Sequence, residues 1–583
     1  MPSPVAARGG LVQAVRALAE RVLLPVLAVL AVASGAAAAE PARLDIVMTP
    51  NATGGPGSHL AVRMAMQAPA LKAGDALVRL PLRLVGIPSA RYDGDALTAH
   101  DDLGAIPLIQ SEEPPTPQGV YRRWSVGRAT SGDVTVSYRA PPRPVTAATN
   151  NGPLFDLREE AGGFVGAGVG FLATPAAPGP WRVRLDWDLS AAPPGSRGVW
   201  SMGEGTVERV LPSEALAFSY YAVGPLKRRP STPDPDFGFY WLSETPFDAA
   251  VLAERVRKLF AAMATFFEDE GGSYRVFVRR NPYLGTGGTA LARSFMFGWN
   301  PDSKPTVDSL QGLIAHEMAH NWPRMQGEHG DTAWYSEGAA EYYSLALSWR
   351  AGAVPLDRVI RTLNERADAY YTNPHRALSN PDAAKIFWTD PVAQTVPYGR
   401  GWMYLVQTDA AIRRASGGRR SLDDVVKAMR RRDVAGQPYG VDAWLELVGT
   451  ELGAGPAKAA YDHMVAGGLL LPPADAFAPC LRPERRNARV FQLGFARASL
   501  NDDRIIRGLE AGSSADIAGL RDGDVILEVS DVTEVRKDET LPLTLKIRRG
   551  AVERTVSYLP RGATVEAYRW VRNVDAPESA CRF

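Results

Sequence analysis

The stretch His316-Glu317-Met318-Ala319-His320 lies within residues 309–322, whose apolar spacing predicts a helix. Two histidines four residues apart lie on one helical face, about one turn apart, so both imidazoles can reach a single metal ion. The intervening Glu317 then projects close to the open side of that ion. Because the chain has only 7 histidines in 583 residues, this spacing favours a metal centre over two unconnected core or surface histidines.

A third protein ligand is needed, because a catalytic zinc site usually has three protein ligands and one open position. The segment from Trp334 to Glu341 offers Glu337, at the start of a helix predicted over 337–350. The chain between His320 and Glu337 is long enough to turn and lay this second helix beside the first. Glu328 and His329 are alternative ligands, but they lie in a Gly-flanked loop without a rigid element to support them.

Helical periodicity dominates the surrounding residues 236–475. Pro246 precedes a run in which apolar residues share one stripe from Val251 to Phe267. A strand-like piece at 274–278, a Gly-rich loop and a second strand-like piece at 294–299 follow. Further helices are predicted over 356–370, 399–414 and 421–431. This middle third is therefore predicted to be a mostly helical domain with a small sheet.

The flanking regions show the strand period of two. Residues 40–235 contain short alternating runs separated by Pro- and Gly-rich turns, which predicts a β-sandwich-like N-terminal domain. After the Pro-rich joint 471–483, short strands are predicted again across 484–583. The fold class is therefore multidomain α+β. The clearest N-terminal runs are 60–66, 76–85, 133–138 and 181–189, and the C-terminal candidates are 491–496, 504–509, 525–529 and 543–548.

Composition excludes several classes of protein. With 45% hydrophobic and 22% charged residues, the chain has enough apolar material for several cores, so intrinsic disorder and collagen-like repeats are excluded. The 65 basic residues nearly balance the 64 acidic ones, for a net charge of +1. No electrostatic footprint for nucleic acid or an anionic membrane surface is present, and the sequence indicates no oligomeric state.

The first 39 residues have the pattern of an export signal. Arginines precede an apolar run from Val22 to Ala33, and Ala37 and Ala39 fit a cleavage site before Glu40. The run is shorter than the ~20 residues that span a bilayer, so cleavage is favoured over an uncleaved N-terminal anchor. We expect a signal peptide at 1–39 and a periplasmic or secreted mature chain without a stable membrane span.

The two cysteines, Cys480 and Cys581, bracket the last hundred residues. An oxidising compartment permits a disulfide that the cytosol would not. A Cys480–Cys581 bridge is therefore a hypothesis, with two free thiols as its alternative.

The H-E-x-x-H helix followed by W-x-x-E-G on the next helix resembles the gluzincins, the thermolysin-like zinc peptidases. Within them the chain resembles the glycyl aminopeptidase family, through its β-rich N-terminal region, Trp322, the Gly287-Gly288 pair and a C-terminal PDZ-like module. In that module Leu493-Gly494-Phe495 resembles a carboxylate-binding loop, and 518–526 resembles a later PDZ segment. The resemblance covers nearly the whole mature chain and implies a thermolysin-like domain at 236–475 and a PDZ-like domain at 484–583.

The resemblance also implies roles for individual residues. His316, His320 and Glu337 would bind Zn2+, and Glu317 would be the general base that takes a proton from the attacking water. We therefore expect an exported zinc-dependent peptidase that acts on peptides or proteins.

Two further residues each have a functional and a structural interpretation. Tyr398, in Pro397-Tyr398-Gly399-Arg400-Gly401, resembles the P-Y-x-K-G tyrosine that stabilises the oxyanion in related aminopeptidases, with Arg400 in place of the lysine. An ordinary tyrosine at a helix start is the alternative. From spacing alone, Glu341 lies on the same helical face as Glu337 and could accept a hydrogen bond from a ligating imidazole; a solvent-exposed glutamate is the alternative.

One departure bears on substrate choice. In the family the Gly-Gly pair is commonly followed by an acidic residue that pairs with the substrate's amino terminus, whereas Thr289-Ala290-Leu291 follow it here. An aminopeptidase is expected, with an endopeptidase of the same chemistry or a noncatalytic PDZ-containing peptide-binding protein as alternatives. The segment 294–299 is predicted to be a strand edge that receives an extended peptide.

Overall fold

The computed structural model describes residues 40–116, 119–147, 149, 152–177, 179–269, 271–283, 287–301, 304–387, 390, 392–500, 504–530, 532–578 and 581. The predicted export signal, residues 1–39, lies outside this part of the chain. No helix within these ranges is long and apolar enough to cross a membrane. The chain forms two compact units: one holds residues 40–264 and 269–321, and the other holds residues 265–268 and those from 322 onward.

Strands dominate the first unit. They are β1 (Ala42–Asn51), β2 (His59–Met66), β3 (Ala76–Leu84), β4 (Ile87–Pro88), β5 (Leu97–Asp101), β6 (Gly104–Ile106), β7 (Leu108–Glu112), β8 (Gly119–Val126), β9 (Val134–Ala140), β10 (Arg158–Glu160), β11 (Gly163–Ala167), β12 (Thr174–Pro175), β13 (Pro180–Trp187), β14 (Arg197–Trp200), β15 (Gly203–Glu204), β16 (Val207–Pro212), β17 (Tyr220–Gly224), β18 (Lys227–Arg229), β19 (Phe237–Trp241), β20 (Tyr274–Arg280), β21 (Gly287–Leu291) and β22 (Ser294–Trp299). The predicted runs at 60–66, 76–85, 133–138 and 181–189 correspond to β2, β3, β9 and β13.

Alternating burial explains the largest sheet, a seven-stranded one with the order β16-β13-β1-β2-β9-β5-β6. In β1, Leu44, Ile46 and Met48 are fully buried while the residues between them are partly exposed. A period of two places every second side chain on one face. Two further sheets of this region have the orders β10-β11-β17-β14-β15 and β12-β3-β8-β7, with β4 paired to β3. The β-rich N-terminal region is thus confirmed.

A five-stranded sheet with the order β18-β19-β20-β22-β21 precedes the helix that carries the histidine pair. Strand β22 runs parallel to β20 on one side and antiparallel to β21 on the other. The prediction that 294–299 forms an edge is therefore wrong, and β21 is the edge strand. All of β22 is buried, and its unbroken apolar run is typical of a central strand rather than an edge.

Helices make up most of the second unit, which contains α4 to α12 of the helices given below. In chain order the helices of the described residues are α1 (Ser213–Ala217), α2 (Ala249–Phe266), α3 (Val307–Ala319), α4 (His329–Arg350), α5 (Leu356–Tyr371), α6 (Asn380–Ile386), α7 (Val396–Ala415), α8 (Leu422–Val434), α9 (Val441–Leu452), α10 (Ala454–Val465), α11 (Ser514–Ile517) and α12 (Val532–Lys537). The helical middle third is confirmed. Helices α9 and α10 were not predicted, because Gly449, Gly455 and Pro456 interrupt their apolar period.

The C-terminal strands only partly match the prediction. A ribbon of β23 (Leu481–Phe491) and β27 (Arg561–Arg572) adjoins a three-stranded sheet of β24 (Val525–Val529), β25 (Leu543–Arg549) and β26 (Val552–Tyr558). The predicted strands at 525–529 and 543–548 are confirmed. Those at 491–496 and 504–509 are wrong, because Gly494 adopts a positive φ of 79° and Ile505 contributes only an isolated bridge. A chain that turns at Gly494 cannot continue as a strand.

A side-chain amide of helix α5 pairs with the backbone of the ribbon. The Asn364 Nδ2 donates to the Trp570 carbonyl at 3.0 Å, and the Trp570 N–H donates to Asn364 Oδ1 at 2.6 Å. The amide thus pairs with β27 as a neighbouring strand would. Trp570 is 1% exposed, so both of its backbone groups would otherwise be buried without a partner.

Cys480 and Cys581 form a disulfide, which confirms the bridge hypothesised from the sequence. Replacing both cysteines by serine is expected to lower the free energy of unfolding by about 2–4 kcal/mol, because the unfolded chain regains the freedom of a long closed loop. Urea unfolding of the two proteins measures this difference. Thiol titration of the denatured, unreduced wild-type protein should find no free thiol, and finding two would contradict the bridge.

Candidate metal centre

Helix α3 carries the histidine pair and begins with a reciprocal cap. The Ser309 N–H donates to Thr306 Oγ1 at 3.1 Å, and the Thr306 N–H donates to Ser309 Oγ at 3.1 Å. Such a capping box satisfies N–H groups that the first turn would leave unpaired. The helix ends at Ala319, and His320 is its C-cap residue, so it is shorter than the predicted 309–322.

The two imidazoles lie side by side, as the spacing predicted. The ring centroids of His316 and His320 are 4.9 Å apart and the ring planes are perpendicular. His320 is 8% exposed and Glu317 is 6% exposed, whereas His316 is partly exposed. A carboxylate held next to imidazoles in a place poor in water interacts with them more strongly than it would in solvent.

Glu337 lies in the third turn of α4 and is 2% exposed. Its helix packs against α7 through a contact between two glycines. A Cβ atom on Gly338 would lie 2.4 Å from the Gly401 carbonyl carbon, and one on Gly401 would lie 1.8 Å from the Trp334 carbonyl oxygen. No side chain fits at either position. The same helix contact therefore requires glycine both at Gly338, which follows Glu337, and at Gly401.

His316, His320 and Glu337 are brought together. One ligand atom from each lies within 4.8 Å of the ligand atoms of the other two. Two imidazole nitrogens and one carboxylate oxygen are a donor set that suits Zn2+ and leaves one coordination position open. The residues present therefore fit a catalytic zinc ion.

Tyr398 lies in the first turn of α7 and is partly exposed. Arg400, two residues later, is 1% exposed. Its guanidinium donates to the Arg376 carbonyl at 2.8 Å and also to the Leu378 carbonyl and the Asn380 side chain. Burial lowers the pKa of Arg400 to about 10, so the group stays charged at neutral pH. Arg400 is thus a charged group, and its hydrogen bonds hold the segment that leads into α6.

The other residues that the sequence offered for the metal site are His329, Glu328 and Glu341. His329 begins α4, and its ring lies 4.6 Å from that of Phe387; it is not in the ligand cluster. Glu328 is the residue before α4. Glu341 is partly buried and forms an ion pair with Arg366, so the alternative of a solvent-exposed glutamate is wrong. A hydrogen bond donated by a ligating imidazole to the Glu341 carboxylate stays a prediction.

Two buried tyrosines near Glu317 were not found from the sequence. Burial raises the pKa of Tyr220 and of Tyr274, and the Glu317 carboxylate raises both further. The Tyr220 hydroxyl donates to the Thr289 carbonyl of edge strand β21 at 2.8 Å, and Tyr274 stacks on Phe260. Nothing in the sequence distinguishes these tyrosines from ordinary core aromatics, because only the folded sheet brings them near Glu317.

Comparison with known proteins finds similarity of fold. No family model matches the chain, and no curated protein matches it in sequence. A crystal structure of an aminopeptidase N family protein from Idiomarina loihiensis is similar with a TM-score of 0.62 and 14% identity, over 92% of this chain and 99% of that one.

Two other solved structures are similar over 74% of this chain. An M1 zinc metallopeptidase from Deinococcus radiodurans has 18% identity over 94% of its length, with a TM-score of 0.43. A yeast LTA4 hydrolase has 14% identity over 68% of its length, with a TM-score of 0.41. The Idiomarina structure shows that the chain shares the fold of an aminopeptidase N family protein.

The glycine contact between α4 and α7 can be tested with a matched pair of substitutions. Gly338→Ala is expected to destabilise the protein by about 1–3 kcal/mol and to weaken metal binding, because its Cβ would overlap the α7 backbone. Gly312→Ala, on α3 with nothing within 4 Å of the new Cβ, is expected to stabilise by about 1 kcal/mol. Denaturant unfolding and metal titration measure both, and a stabilising Gly338→Ala would contradict the contact.

Proposed function

We propose that this protein is an exported zinc-dependent peptidase of the gluzincin type, similar to the glycyl aminopeptidase family. The observation that carries the proposal is the convergence of His316, His320 and Glu337 within 4.8 Å, with the buried Glu317 between the two histidines. A purely structural metal site has no need of a carboxylate next to its open position. This argues against the noncatalytic peptide-binding protein considered from the sequence.

A bound zinc ion supplies a Lewis acid and a water that is acidic near neutral pH. Glu317 then takes a proton from the attacking water and delivers it to the leaving amine. The Tyr398 hydroxyl donates a hydrogen bond to the carbonyl oxygen on which negative charge develops. Tyr398 lies in the first turn of α7, two residues before Arg400. The hydrogen bond from Arg400 to the Arg376 carbonyl fixes this turn, which supports the role.

The substrate is an extended peptide that adds to edge strand β21. Main-chain hydrogen bonds to an open strand edge bind a peptide without regard to its side chains. The proposed activity is that of an aminopeptidase, which the shared fold supports. Endopeptidase action is the alternative, and the lack of an acidic residue in Gly287–Leu291 favours it, because a free amino terminus would have no charge partner on this strand.

The other parts of the proposal concern location and the C-terminal region. A cleaved signal at 1–39 and a periplasmic or secreted chain agree with the Cys480–Cys581 disulfide, which an oxidising compartment permits. Residues 484–583 are proposed to be a PDZ-like module that captures peptides. Its support is a separate core that includes Leu493 and Phe495, on either side of the turn at Gly494.

The deciding experiment measures zinc content and peptide cleavage by the purified mature protein. Free and N-acetylated peptides with several first residues are compared. Stoichiometric zinc with cleavage of free amino termini only would support an aminopeptidase, and cleavage of blocked peptides would support an endopeptidase. Bound zinc without any cleavage across a broad peptide library would overturn the peptidase proposal.

Glu317→Gln is expected to keep zinc and the fold but to lower kcat by about 10²–10⁴-fold, because an amide cannot accept the proton of the attacking water. Glu254→Gln serves as its control, because it makes the same change on an exposed part of α2 and should leave kcat unchanged. Full activity of Glu317→Gln would contradict the assigned base.

Tyr398→Phe is expected to lower kcat by about 10²-fold with a small effect on KM, since the hydroxyl acts on charge that develops only in the transition state. Tyr568→Phe removes a hydroxyl from the C-terminal ribbon, where it donates to Glu566, and should have no such effect. Steady-state kinetics measure both variants. An unchanged kcat for Tyr398→Phe would assign this tyrosine to the helix start alone.

A further inference from the structure

Three arginines surround one buried carboxylate in the first unit. The Arg279 Nη2 donates to Asp156 Oδ1 at 2.9 Å and its Nη1 donates to the Asp156 carbonyl at 3.0 Å. The Arg158 Nε donates to Asp156 Oδ2, and Arg143 Nη1 lies 3.6 Å from the same oxygen. The Arg158 Nη2 also donates to the Tyr283 hydroxyl at 3.5 Å. We call these four charged residues the arginine cluster.

The arginine cluster is buried at one end and open at the other. The side chains of Arg279, Asp156 and Arg158 are 0%, 2% and 6% exposed, while that of Arg143 is 25% exposed. Arg143 therefore connects the buried groups to solvent. An anionic group from solvent would therefore meet Arg143 first.

Asp156 cannot satisfy the groups that surround it. Each guanidinium has five N–H donors, whereas one carboxylate has about four acceptor sites. The Arg279 Nε is buried and has no hydrogen-bond partner among the residues that the structure describes. The nearby Glu160 accepts from the backbone N–H groups of Ser243 and Arg280. Even when Glu160 is counted, positive charge exceeds negative charge by one.

The pKa directions agree with a surplus of positive charge. Burial and the neighbouring Arg279 lower the pKa of Arg158, although Asp156 opposes them. Burial favours a raised pKa for Asp156, but Arg279, Arg158 and Arg143 together lower it. An added negative charge at this place would relieve the repulsion between the guanidinium groups.

The arginine cluster lies beside the edge strand proposed to bind substrate. Arg279 on β20 is in register with Gly298 on β22, which is in register with Gly287 on β21. With about 4.8 Å between neighbouring strands, the backbone of Arg279 is about 10 Å from that of Gly287. The Leu154 N–H, two residues before Asp156, donates to the Thr289 hydroxyl of β21 at 3.0 Å.

Tyr220 links the arginine cluster to the reaction centre. Its hydroxyl donates to the Thr289 carbonyl, and the charges of Arg279 and Glu317 both act on it. A peptide on β21 with its scissile bond at Glu317 would therefore carry neighbouring groups toward the arginines.

We propose that Arg143 and Arg158, held by Asp156, which Arg279 fixes in turn, form a subsite that binds a carboxylate of the peptide substrate. This inference rests on the proposed function and names its substrate class: peptides with an acidic side chain or a free C-terminal carboxylate near the scissile bond. Guanidinium groups bind carboxylates through paired N–H donors, which gives directional recognition. The subsite binds a carboxylate of the substrate, whereas β21 has no acidic residue that could pair with the substrate's amino terminus.

Binding to the inactive Glu317→Gln protein, loaded with zinc, tests the subsite without turnover. Three short peptides are titrated by calorimetry: one with glutamate and an amidated C-terminus, one with glutamine and an amidated C-terminus, and one with glutamine and a free C-terminus. At least one of the two peptides that carry a carboxylate is expected to bind about tenfold more tightly than the neutral peptide. Which of the two gains affinity tells a side-chain carboxylate from a terminal one.

The substitution Arg143→Gln, made in the same protein, should remove most of that preference. Arg143 is chosen because it is the most exposed member of the cluster, and Arg143→Lys should retain part of the preference because it keeps the charge. Arg139→Gln removes the same charge from an exposed position on β9 and should retain all of it. Thermal unfolding checks that each variant is folded.

Equal affinities for the three peptides, or no binding of any, would overturn the subsite. So would an equal loss of preference in Arg139→Gln and Arg143→Gln. A separate failure, in which the wild-type zinc protein cleaves no peptide, would overturn the proposed peptidase while leaving the carboxylate preference of the Glu317→Gln protein intact. The two proposals therefore fail independently.

Discussion

The place of the carboxylate ligand depends on how closely two helices approach. Helices α4 and α7 meet where Gly338 and Gly401 face each other without side chains. Any side chain there would separate the helices and move Glu337, the neighbour of Gly338. The same contact fixes α7, which begins just before Tyr398. One packing constraint thus sets the positions of both Glu337 and Tyr398. This explains why each of the two helices contains a glycine despite its cost to helix stability.

Much of the centre could be predicted from the sequence because its parts are local. The His316 to His320 spacing needs only one helical turn, and Glu337 needs only a helix that follows a turn. Strand order is not local, so the edge was assigned to 294–299 although β21 occupies it. The failed strand near 491–496 has a different cause, since its apolar alternation is real but Gly494 turns the chain. Tyr220 and the arginine cluster were missed because only the sheet register brings their residues together.

The arginine cluster gives the region near edge strand β21 a surplus of positive charge. The strand has no acidic residue, and the arginine cluster lies about two strands from its first residue. Burying two guanidinium groups around one carboxylate, with a third partly exposed, is costly unless other acceptors complete the set. If Asp156 served only to hold the fold together, one arginine would neutralise it. The surplus is therefore better explained by a function that uses positive charge, such as the proposed carboxylate subsite.

Helix α5 contacts both the C-terminal ribbon and the first turn of α7, which carries Tyr398. Helix α5 pairs with β27 through Asn364, and six residues later Tyr370 packs against Gly399, where a Cβ would lie 2.9 Å from the Tyr370 Cβ. Gly399 follows Tyr398 directly. A C-terminal region that moved relative to α5 would disturb the first turn of α7. The two-sided amide pairing and the Cys480–Cys581 disulfide both oppose such movement, and they thereby keep the first turn of α7 in place.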